Sequence, residues 1–435
     1  MARLSFSLVV LTLLLSGNSL HAQVPSWTVF PPTGFTANTF GSATIWDGTT
    51  LVVADEATGF VVAYTFQGRF AVSHDILRPA DSNDGNGFGR ALAVGGDWML
   101  VGTPDAPGVV PDGGAAYLFR RSGGQWSLRE KLYPTDIPSG TGFGGWVGIR
   151  GNYGVVGTER GAAYVLELRP DGSFTQSLLD IDFDGGFNNT AVAISDNRIA
   201  LGRWGRYVRI YARSNGTWIQ EAEFESSALS GLALSDTHLV VSTFSGAEFY
   251  ELQAGTWVLR SEIPYSDPSS FDFGYGVALS WPWAVVGAPE GAWVYEDVGS
   301  GWSHVGVLAL DQRETFSFAN PLSMNGSQVI FGWRRQNLVH MYDLALTFTG
   351  TEEVPRRPGL GSVYPNPLRS SGTLLLPGAS FSQVRVVDLL GRSHGWASSS
   401  GNGSWRIDAS SLAPGTYFAV PEGRGMERAI PFVRF

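Results

Sequence analysis

The sequence predicts an all-β protein, a seven-bladed β-propeller followed by a small Ig-like β-sandwich C-terminal domain. The chain holds 56 glycines, 23 prolines and 13% aromatic residues, a composition that favours turn-rich β structure. A hairpin sequence recurs along most of its length at a spacing typical of propellers and solenoids. The remaining C-terminal segment lacks that hairpin and differs in composition, which predicts a second domain.

The repeat is clearest in FGRALAVGGDWMLVGTP (88–104), FGGWVGIRGNYGVVGTE (143–159) and FGYGVALSWPWAVVGAP (273–289). Weaker copies bring the total to seven. Equivalent positions are Ile45, Ala93, Gly148, Ala193, Ala233, Ala278 and Ser323, so subtraction gives spacings of 48, 55, 45, 40, 45 and 45 residues. Each copy continues with a third strand, such as GAAYLFRR, and most add a fourth after a Gly-rich turn, such as GGQWSLREKL. Four short strands per unit, here A to D, are the pattern of a propeller blade.

The two ends of the repeat region predict a closed ring. The seventh unit stops after its third strand, LVHMYDL, whereas an additional SWTVF (26–30) precedes the first unit. Its tryptophan matches the start of the fourth strands. We therefore expect SWTVF to complete the seventh blade, which would join the chain ends and remove a free sheet edge.

The repeated FG, the apolar hairpin and the VVGxP ending resemble the FG-GAP repeat of integrin alpha-subunit propellers and of many exported bacterial proteins. The resemblance covers about residues 26–345 and implies the fold rather than a function. Calcium-binding members carry DxDxDG in the A–B turn. The A–B turns here are short, as in GGDW and RGNY, so the calcium residues of that family are not carried over.

Residues 1–22 read as a secretory signal peptide, with a basic start, an apolar core and a polar end. The propeller is predicted over 23–349 and a linker rich in Pro, Gly and charge over 350–362. The C-terminal domain is predicted over 363–435. Its short strands between proline and glycine turns suit a small β-sandwich.

Three motifs in this tail resemble, in order, the type A C-terminal sorting domain of the type IX secretion system: YPNP, VDLLGR and LAPGTYF. The motif residues are Tyr364, Pro365, Asn366, Pro367, Asp388, Leu390, Gly391, Arg392, Pro414, Gly415 and Tyr417. The resemblance implies export to the outer surface of a Gram-negative bacterium, with the type IX machinery as partner. It also implies removal of the tail by a surface sortase, followed by release or by attachment to surface lipopolysaccharide.

The composition of the chain excludes several kinds of active site and ligand. The chain has no cysteine, which excludes disulfides, thiolate metal sites and cysteine nucleophiles. A net charge of −10 argues against a nucleic-acid ligand. The six histidines show no metal-binding spacing, and no nucleophile elbow, phosphate loop or dinucleotide fingerprint is present, so no catalytic residue and no organic cofactor is predicted.

One acidic run, DIDFDGG at 180–186, permits two interpretations. Alternating carboxylates before glycine are typical of calcium loops, and Asp180, Asp182 and Asp184, with Asn188, would supply the oxygens. The run is also compatible with an ordinary acidic turn, which is the favoured interpretation. It is predicted to lie in a D–A loop, beside the acidic sister loop DSNDGNG (81–87).

The D–A and B–C loops are longer and more variable than the A–B turns, and an up-and-down blade places them on one face. That face is therefore the predicted functional surface. The first hypothesis is a non-catalytic, surface or secreted adhesion-type protein that binds a glycan or a protein. The alternative is an extracellular polysaccharide hydrolase or lyase that uses loop carboxylates at the propeller mouth. A structural surface-layer component is the third.

Overall fold

The structure, a computed structural model, describes most of the repeat region and parts of the tail. The described residues are 26–32, 35–67, 70–81, 87–106, 113–134, 141–182, 189–243, 246–264, 274, 276–288, 291–309, 322–347, 362–364, 371–375, 383–388, 392–401, 404–413, 415–422 and 430–434. The predicted signal peptide and all of the predicted linker except Ser362 lie outside these ranges.

The repeat region forms seven four-stranded antiparallel sheets. Strand β1 (Trp27–Val29) comes first. The first blade contains β2 (Phe40–Trp46), β3 (Thr50–Asp55), β4 (Phe60–Gln67) and β5 (Phe70–Leu77). The second contains β6 (Ala91–Gly95), β7 (Trp98–Thr103), β8 (Ala115–Ser122) and β9 (Gln125–Leu132). The third contains β10 (Trp146–Arg150), β11 (Tyr153–Gly157), β12 (Ala162–Leu168) and β13 (Phe174–Ile181).

The remaining blades repeat the arrangement. The fourth contains β14 (Thr190–Ile194), β15 (Arg198–Arg203), β16 (Tyr207–Ser214) and β17 (Thr217–Glu225). The fifth contains β18 (Ala228–Leu234), β19 (His238–Thr243), β20 (Gly246–Gln253) and β21 (Thr256–Pro264). The sixth contains β22 (Val277–Ser280), β23 (Trp283–Ala288), β24 (Gly291–Asp297) and β25 (Trp302–Ala309). The seventh contains β26 (Leu322–Asn325), β27 (Gln328–Trp333) and β28 (Leu338–Asp343), followed by a short helix, α1 (Leu344–Thr347).

The ring closes as the sequence predicts. Strand β1 pairs antiparallel with β28, with Thr28 opposite His340, and supplies the fourth strand of the seventh blade. The side chains of Trp27 and Val29 are buried in one cluster with first-blade residues such as Phe60. Residues 26–30 therefore join the N-terminal and C-terminal ends of the repeat region through hydrogen bonds and apolar packing.

The FG signature of the repeat has a packing explanation. Phe88 and Phe143 are fully buried, and Phe143 contacts the ring of Tyr164 at 5.4 Å between centroids. The glycine that follows Phe143 has a φ of +92°, and a Cβ there would lie 2.2 Å from the carbonyl oxygen of Ala115 in the preceding blade. Only glycine combines that backbone angle with so close an approach between blades. The motif thus specifies how blades stack.

The tail forms a small β domain. Its strands are β29 (Ser362–Tyr364), β30 (Ser371–Leu375), β31 (Gln383–Asp388), β32 (Ser393–Gly401), β33 (Ser404–Asp408), β34 (Gly415–Glu422) and β35 (Ile430–Arg434). The first half of β32 pairs with β31 and the second half with β33. This strand therefore connects one half of the domain (β29, β30 and β33) with the other half (β31, β34 and β35). Buried side chains from both halves, such as Val384 and Trp405, share one core. The predicted all-β fold class is confirmed. Across the part of the chain that the structure describes, no helix is long and apolar enough to cross a membrane.

Candidate binding faces of the propeller

The first strands of neighbouring blades contact one another, so the A strands surround the central channel. The D–A and B–C connections then share one end of the channel, here called the loop face. The A–B and C–D turns share the other end, the turn face. Much of each long D–A loop (82–86, 135–140, 183–188 and 265–273) lies outside the described residues. The described part of the loop face consists chiefly of the residues that follow the B strands and precede the A strands.

A charged cluster lies on the loop face beside the channel. Arg90 precedes β6, and its Nη1 lies 3.1 Å from Oδ2 of Asp105, which follows β7. Its Nη2 lies 3.6 Å from Oε1 of Glu159, which follows β11 in the next blade. Glu56 occupies the corresponding position after β3. One arginine therefore bridges carboxylates of adjacent blades at the mouth of the channel.

The two glutamates of this cluster have perturbed acidities. Burial raises the pKa of Glu56 and of Glu159, and the charge of Asp105 raises both pKa values further. Arg90 acts in the opposite direction and lowers both. The net effect is that each glutamate holds its proton more firmly than a solvated carboxylic acid would. These half-buried acids were not singled out in the sequence, where nothing distinguishes them from other loop carboxylates.

Asp180 of the acidic run forms a buried ion-pair network between the third and fourth blades. Its Oδ2 lies 3.2 Å from Nη2 of Arg203, and its Oδ1 lies 3.2 Å from Nη1 of Arg209. The side chain of Asp180 is 9% exposed and that of Arg203 only 1%. Asp182 accepts a hydrogen bond from the hydroxyl of Tyr207. Burial, followed by this hydrogen bond, raises the pKa of the tyrosine to about 12.

These contacts disfavour calcium at one of the predicted ligands, Asp180. Two guanidinium groups contact Asp180, and their positive charge disfavours a divalent cation at the same carboxylate. Asp184 and Asn188, the other predicted ligands, lie outside the described residues. Within the described ranges, no group of three or more histidines and carboxylates is arranged to hold a metal. Calcium binding at this loop stays a prediction.

The sister loop begins in a similar way. Asp81 follows β5, and its Oδ2 lies 2.6 Å from Nζ of Lys131 in the second blade. Its Oδ1 accepts a hydrogen bond of 3.1 Å from the hydroxyl of Tyr117. In both loops the first acid of the run therefore bonds to a cation of the next blade. This structural role depends on contacts across blades, so the local sequence does not reveal it.

The turn face contains a cavity of about 870 Å³ at the channel mouth. Ends of A strands form its apolar wall: Ile45, Val94, Ile149, Ile194 and Met324. Asp47, Asp97, Arg120, Arg150 and Asn325 are among its polar lining residues. The functional surface predicted from the sequence is the opposite face. One sequence feature could have predicted this cavity: these A strands carry an apolar residue near their end, just before a polar turn.

Two of the three sorting motifs meet in the described part of the tail. Asp388 of VDLLGR accepts hydrogen bonds from Nε of Arg392 at 2.7 Å and from the backbone nitrogen of that residue at 3.0 Å. Nε2 of His394 lies 2.9 Å from the same carboxylate. Asp388 is also the register partner of Tyr417, from the third motif, whose hydroxyl donates to the carbonyl of Ala413. Two motifs far apart in sequence thus meet on the paired strands β31 and β34.

The other motif residues are only partly described. Tyr364 ends β29 and Gly415 begins β34. The remaining motif residues lie outside the described ranges: Pro365, Asn366, Pro367, Leu390, Gly391 and Pro414.

The fold and the tail together define a class of protein, an exported β-propeller with a C-terminal sorting domain. Residues 73–119 match the FG-GAP repeat family, and residues 362–425 match the secretion system C-terminal sorting domain. The propeller therefore contains an FG-GAP repeat, and the tail is a type IX sorting domain, which makes the protein secreted or displayed at the cell surface and implies interaction with the type IX secretion machinery.

Solved structures support the fold alone. A chain of a mitotic checkpoint complex is similar with a TM-score of 0.52 at 13% identity, over 79% of this chain and 99% of that chain. The β-propeller domain of Cps50 (Swd1) from Myceliophteria thermophila has a TM-score of 0.51 at 10% identity, over 73% of this chain and 99% of that chain. No curated protein matches the sequence. Identities this low carry no functional inference.

Proposed function

We propose that the protein is a non-catalytic, adhesion-type binding protein whose loop face recognises a glycan or a protein outside the cell. The bridge between Asp105, Arg90 and Glu159 carries the proposal. It lies on a rigid scaffold beside the channel, where a ligand meets polar groups from more than one blade.

The exposure of the cluster supports recognition rather than a purely structural role. The side chains of Arg90, Asp105 and Glu159 are 22%, 50% and 24% exposed. The salt bridges between them hold these side chains in place, yet the side chains remain accessible to hydroxyl or charged groups of a ligand. By contrast, Arg203 is almost fully buried and has no such access. Polar groups fixed before binding reduce the entropy lost on association.

The test is a glycan array combined with a pull-down from extracellular matrix proteins, using the full chain. Arg90→Ala should reduce binding, because it removes the donor shared by two blades. Arg150→Ala is the matched control, since that arginine is ion-paired at 2.7 Å to Asp196 and lies on the turn face. Equal binding by both variants would contradict the role of the loop face.

A second candidate function, cleavage of an extracellular polysaccharide, is favoured by one observation. Glu56 and Glu159 have raised pKa values, as a general acid requires. Incubation with soluble polysaccharides, followed by reducing-end and unsaturated-product assays, distinguishes the two functions. Product formation that Glu159→Gln abolishes, with binding retained, would establish catalysis and exclude the binding-only proposal.

We further propose that a surface sortase removes the tail, and that the propeller is then released or attached to lipopolysaccharide. The match of 362–425 to a sorting domain supports this route. Deletion of 363–435 should leave the propeller in the periplasm. Normal surface delivery of the truncated chain would refute the export route. If the full chain reaches the surface with the molecular mass of a protein that still carries its tail, removal of the tail is refuted.

A further inference from the structure

Trp281 is the most exposed of the large hydrophobic side chains in the part of the chain that the structure describes, at 60%. It lies in the A–B turn of the sixth blade, between β22 and β23. The other six A–B turns contain glycine, serine, threonine, asparagine or aspartate at their centres, as in GGDW, RGNY and SDTH. Six sister turns form without an aromatic residue, so the fold does not require this one. An exposed tryptophan that the fold does not require points to a ligand.

The indole is held in one orientation. Its Nε1 donates a hydrogen bond of 3.1 Å to Oδ2 of Asp297, whose backbone nitrogen donates to the carbonyl of Pro282 in the same turn. The ring of His238, from the fifth blade, stacks on it at 6.3 Å between centroids and an interplanar angle of 26°. One edge and one face are thus engaged within the protein. A ligand that contacts the remaining surface pays little for ordering this side chain.

Polar and apolar groups lie in the adjoining C–D turn and on the neighbouring fifth blade. Val298, 54% exposed, lies in the C–D turn of the same blade, next to Asp297. Arg260 of β21 donates to the carbonyl of Gly299 in that turn at 3.3 Å, and its Nε lies 3.2 Å from Oε2 of Glu251. The result is a small apolar surface with a guanidinium and a carboxylate near its edge.

The size and chemistry of this surface indicate the ligand class. Burying an aromatic side chain removes about 150 to 250 Å² from water, whereas each partner in a stable protein interface buries about 800 Å². The surface formed by Trp281 and Val298 is therefore too small for a stable protein partner and comparable to one sugar ring. A pyranose has an apolar C–H face that stacks on an indole. Its equatorial hydroxyls suit the paired donors of arginine and the acceptors of glutamate.

We propose that Trp281 and Val298 form a stacking platform for a pyranose ring of an extracellular polysaccharide, with Arg260 and Glu251 bonding its hydroxyls. The platform lies on the turn face, on the same side of the ring as the 870 Å³ cavity and opposite the loop face. It is therefore separate from the site proposed above, and either site can fail without the other.

The test is affinity electrophoresis of the full chain in native gels that contain a soluble β-glucan, xylan, galactomannan or chitosan. At least one polysaccharide should retard the wild type, and Trp281→Ala should weaken that binding on the order of tenfold. Trp281→Tyr should retain most of it. Trp396→Ala is the matched control, because Trp396 is 55% exposed but lies in the sorting domain.

Two further measurements separate the proposal from other causes. Trp281→Ala should unfold at the same temperature as wild type, because the deleted ring is mostly exposed. Arg150→Ala, a variant of the turn face outside the platform, should leave the retardation unchanged. Absence of retardation by all four polysaccharides would overturn the platform. Equal loss in the Trp281 and Trp396 variants, or no loss in Trp281→Ala, would do the same.

Discussion

Replacement of Asp180 tests whether the acidic run is an ion pair or a calcium ligand. Asp180→Ala leaves Arg203, which is 1% exposed, without its carboxylate, while Nη1 of Arg203 keeps its 2.6 Å contact with Thr190. Removing one partner of a buried ion pair typically costs about 3 to 5 kcal/mol, because the other charge stays desolvated. We expect the free energy of unfolding to fall by that amount.

The corresponding change in melting temperature follows from the size of the propeller. An unfolding entropy of about 2.1 cal/mol/K per residue, summed over the seven blades, gives a shift of roughly 1.5 °C per kcal/mol. The expected decrease is thus roughly 4.5 to 7.5 °C by differential scanning calorimetry. Asp196→Ala is the matched control, since its partner Arg150 and Asp196 itself are 59% and 60% exposed. An exposed pair of this kind contributes under about 1 kcal/mol.

The double variant Asp180→Leu with Arg203→Met should recover much of the lost stability, because an apolar pair of similar volume replaces the buried charges. The measurements are repeated with millimolar calcium and with a chelator. An ion pair predicts the same decrease in both. If calcium raises the melting temperature of the wild type and Asp180→Ala abolishes that increase, the carboxylate is a calcium ligand and the ion-pair reasoning is refuted.

Three further predictions concern the ring closure, the blade stacking and the tail. Burial lowers the pKa of His340, on β28 beside β1, from 6.5 to about 4, so the unfolded chain takes up its proton first as the pH falls. The free energy of unfolding that the neutral His340 contributes is therefore present above pH 6.5 and lost as the pH falls towards 4, with about 2 kcal/mol lost between pH 7 and 5, measured by urea unfolding. His340→Gln should remove this pH dependence. An unchanged pH dependence in the variant would show that another group causes it. Gly144→Ala should cost more than about 3 kcal/mol because its Cβ meets a backbone oxygen, whereas Gly123→Ala, with φ +60° and open space around it, should cost about 1 kcal/mol; similar losses would argue against the packing explanation. Asp388→Ala removes the acceptor of the Arg392 side chain and of its backbone nitrogen; because that side chain is 63% exposed, the tail should lose only about 1 kcal/mol, seen as faster proteolysis of the tail alone.

Sequence reasoning predicted the architecture correctly because a blade is a local unit. Four strands, their turns and the Phe-Gly pair lie within about 50 residues, so the period appears directly in the chain. The additional SWTVF also predicted its own partner strand, because the seventh unit has only three strands and needs a fourth from elsewhere in the chain. Strand β1 pairs with β28 as expected. The three tail motifs were recognisable in the same way, as short segments in a fixed order.

The sites were less predictable because their contacts cross blades. The Asp180 carboxylate meets Arg203 and Arg209, which lie 23 and 29 residues further along the chain. No spacing rule selects these two arginines among the 29 basic residues of the chain. The raised pKa of Glu159 likewise comes first from burial, which depends on how neighbouring blades pack.

The number of blades, the way the ring closes and the sorting domain could be predicted from the sequence alone, because repetition and short motifs are properties of contiguous residues. Which acids are paired, where the cavity opens and which tryptophan remains exposed depend on how the blades pack, which no local segment of the sequence reveals. Trp98 and its counterpart in the sixth repeat, Trp283, begin B strands and are 7% and 9% exposed, whereas Trp281, two residues earlier in the turn, is 60% exposed. The three residues are chemically identical, and the packing around each indole determines whether it belongs to the core or to the surface.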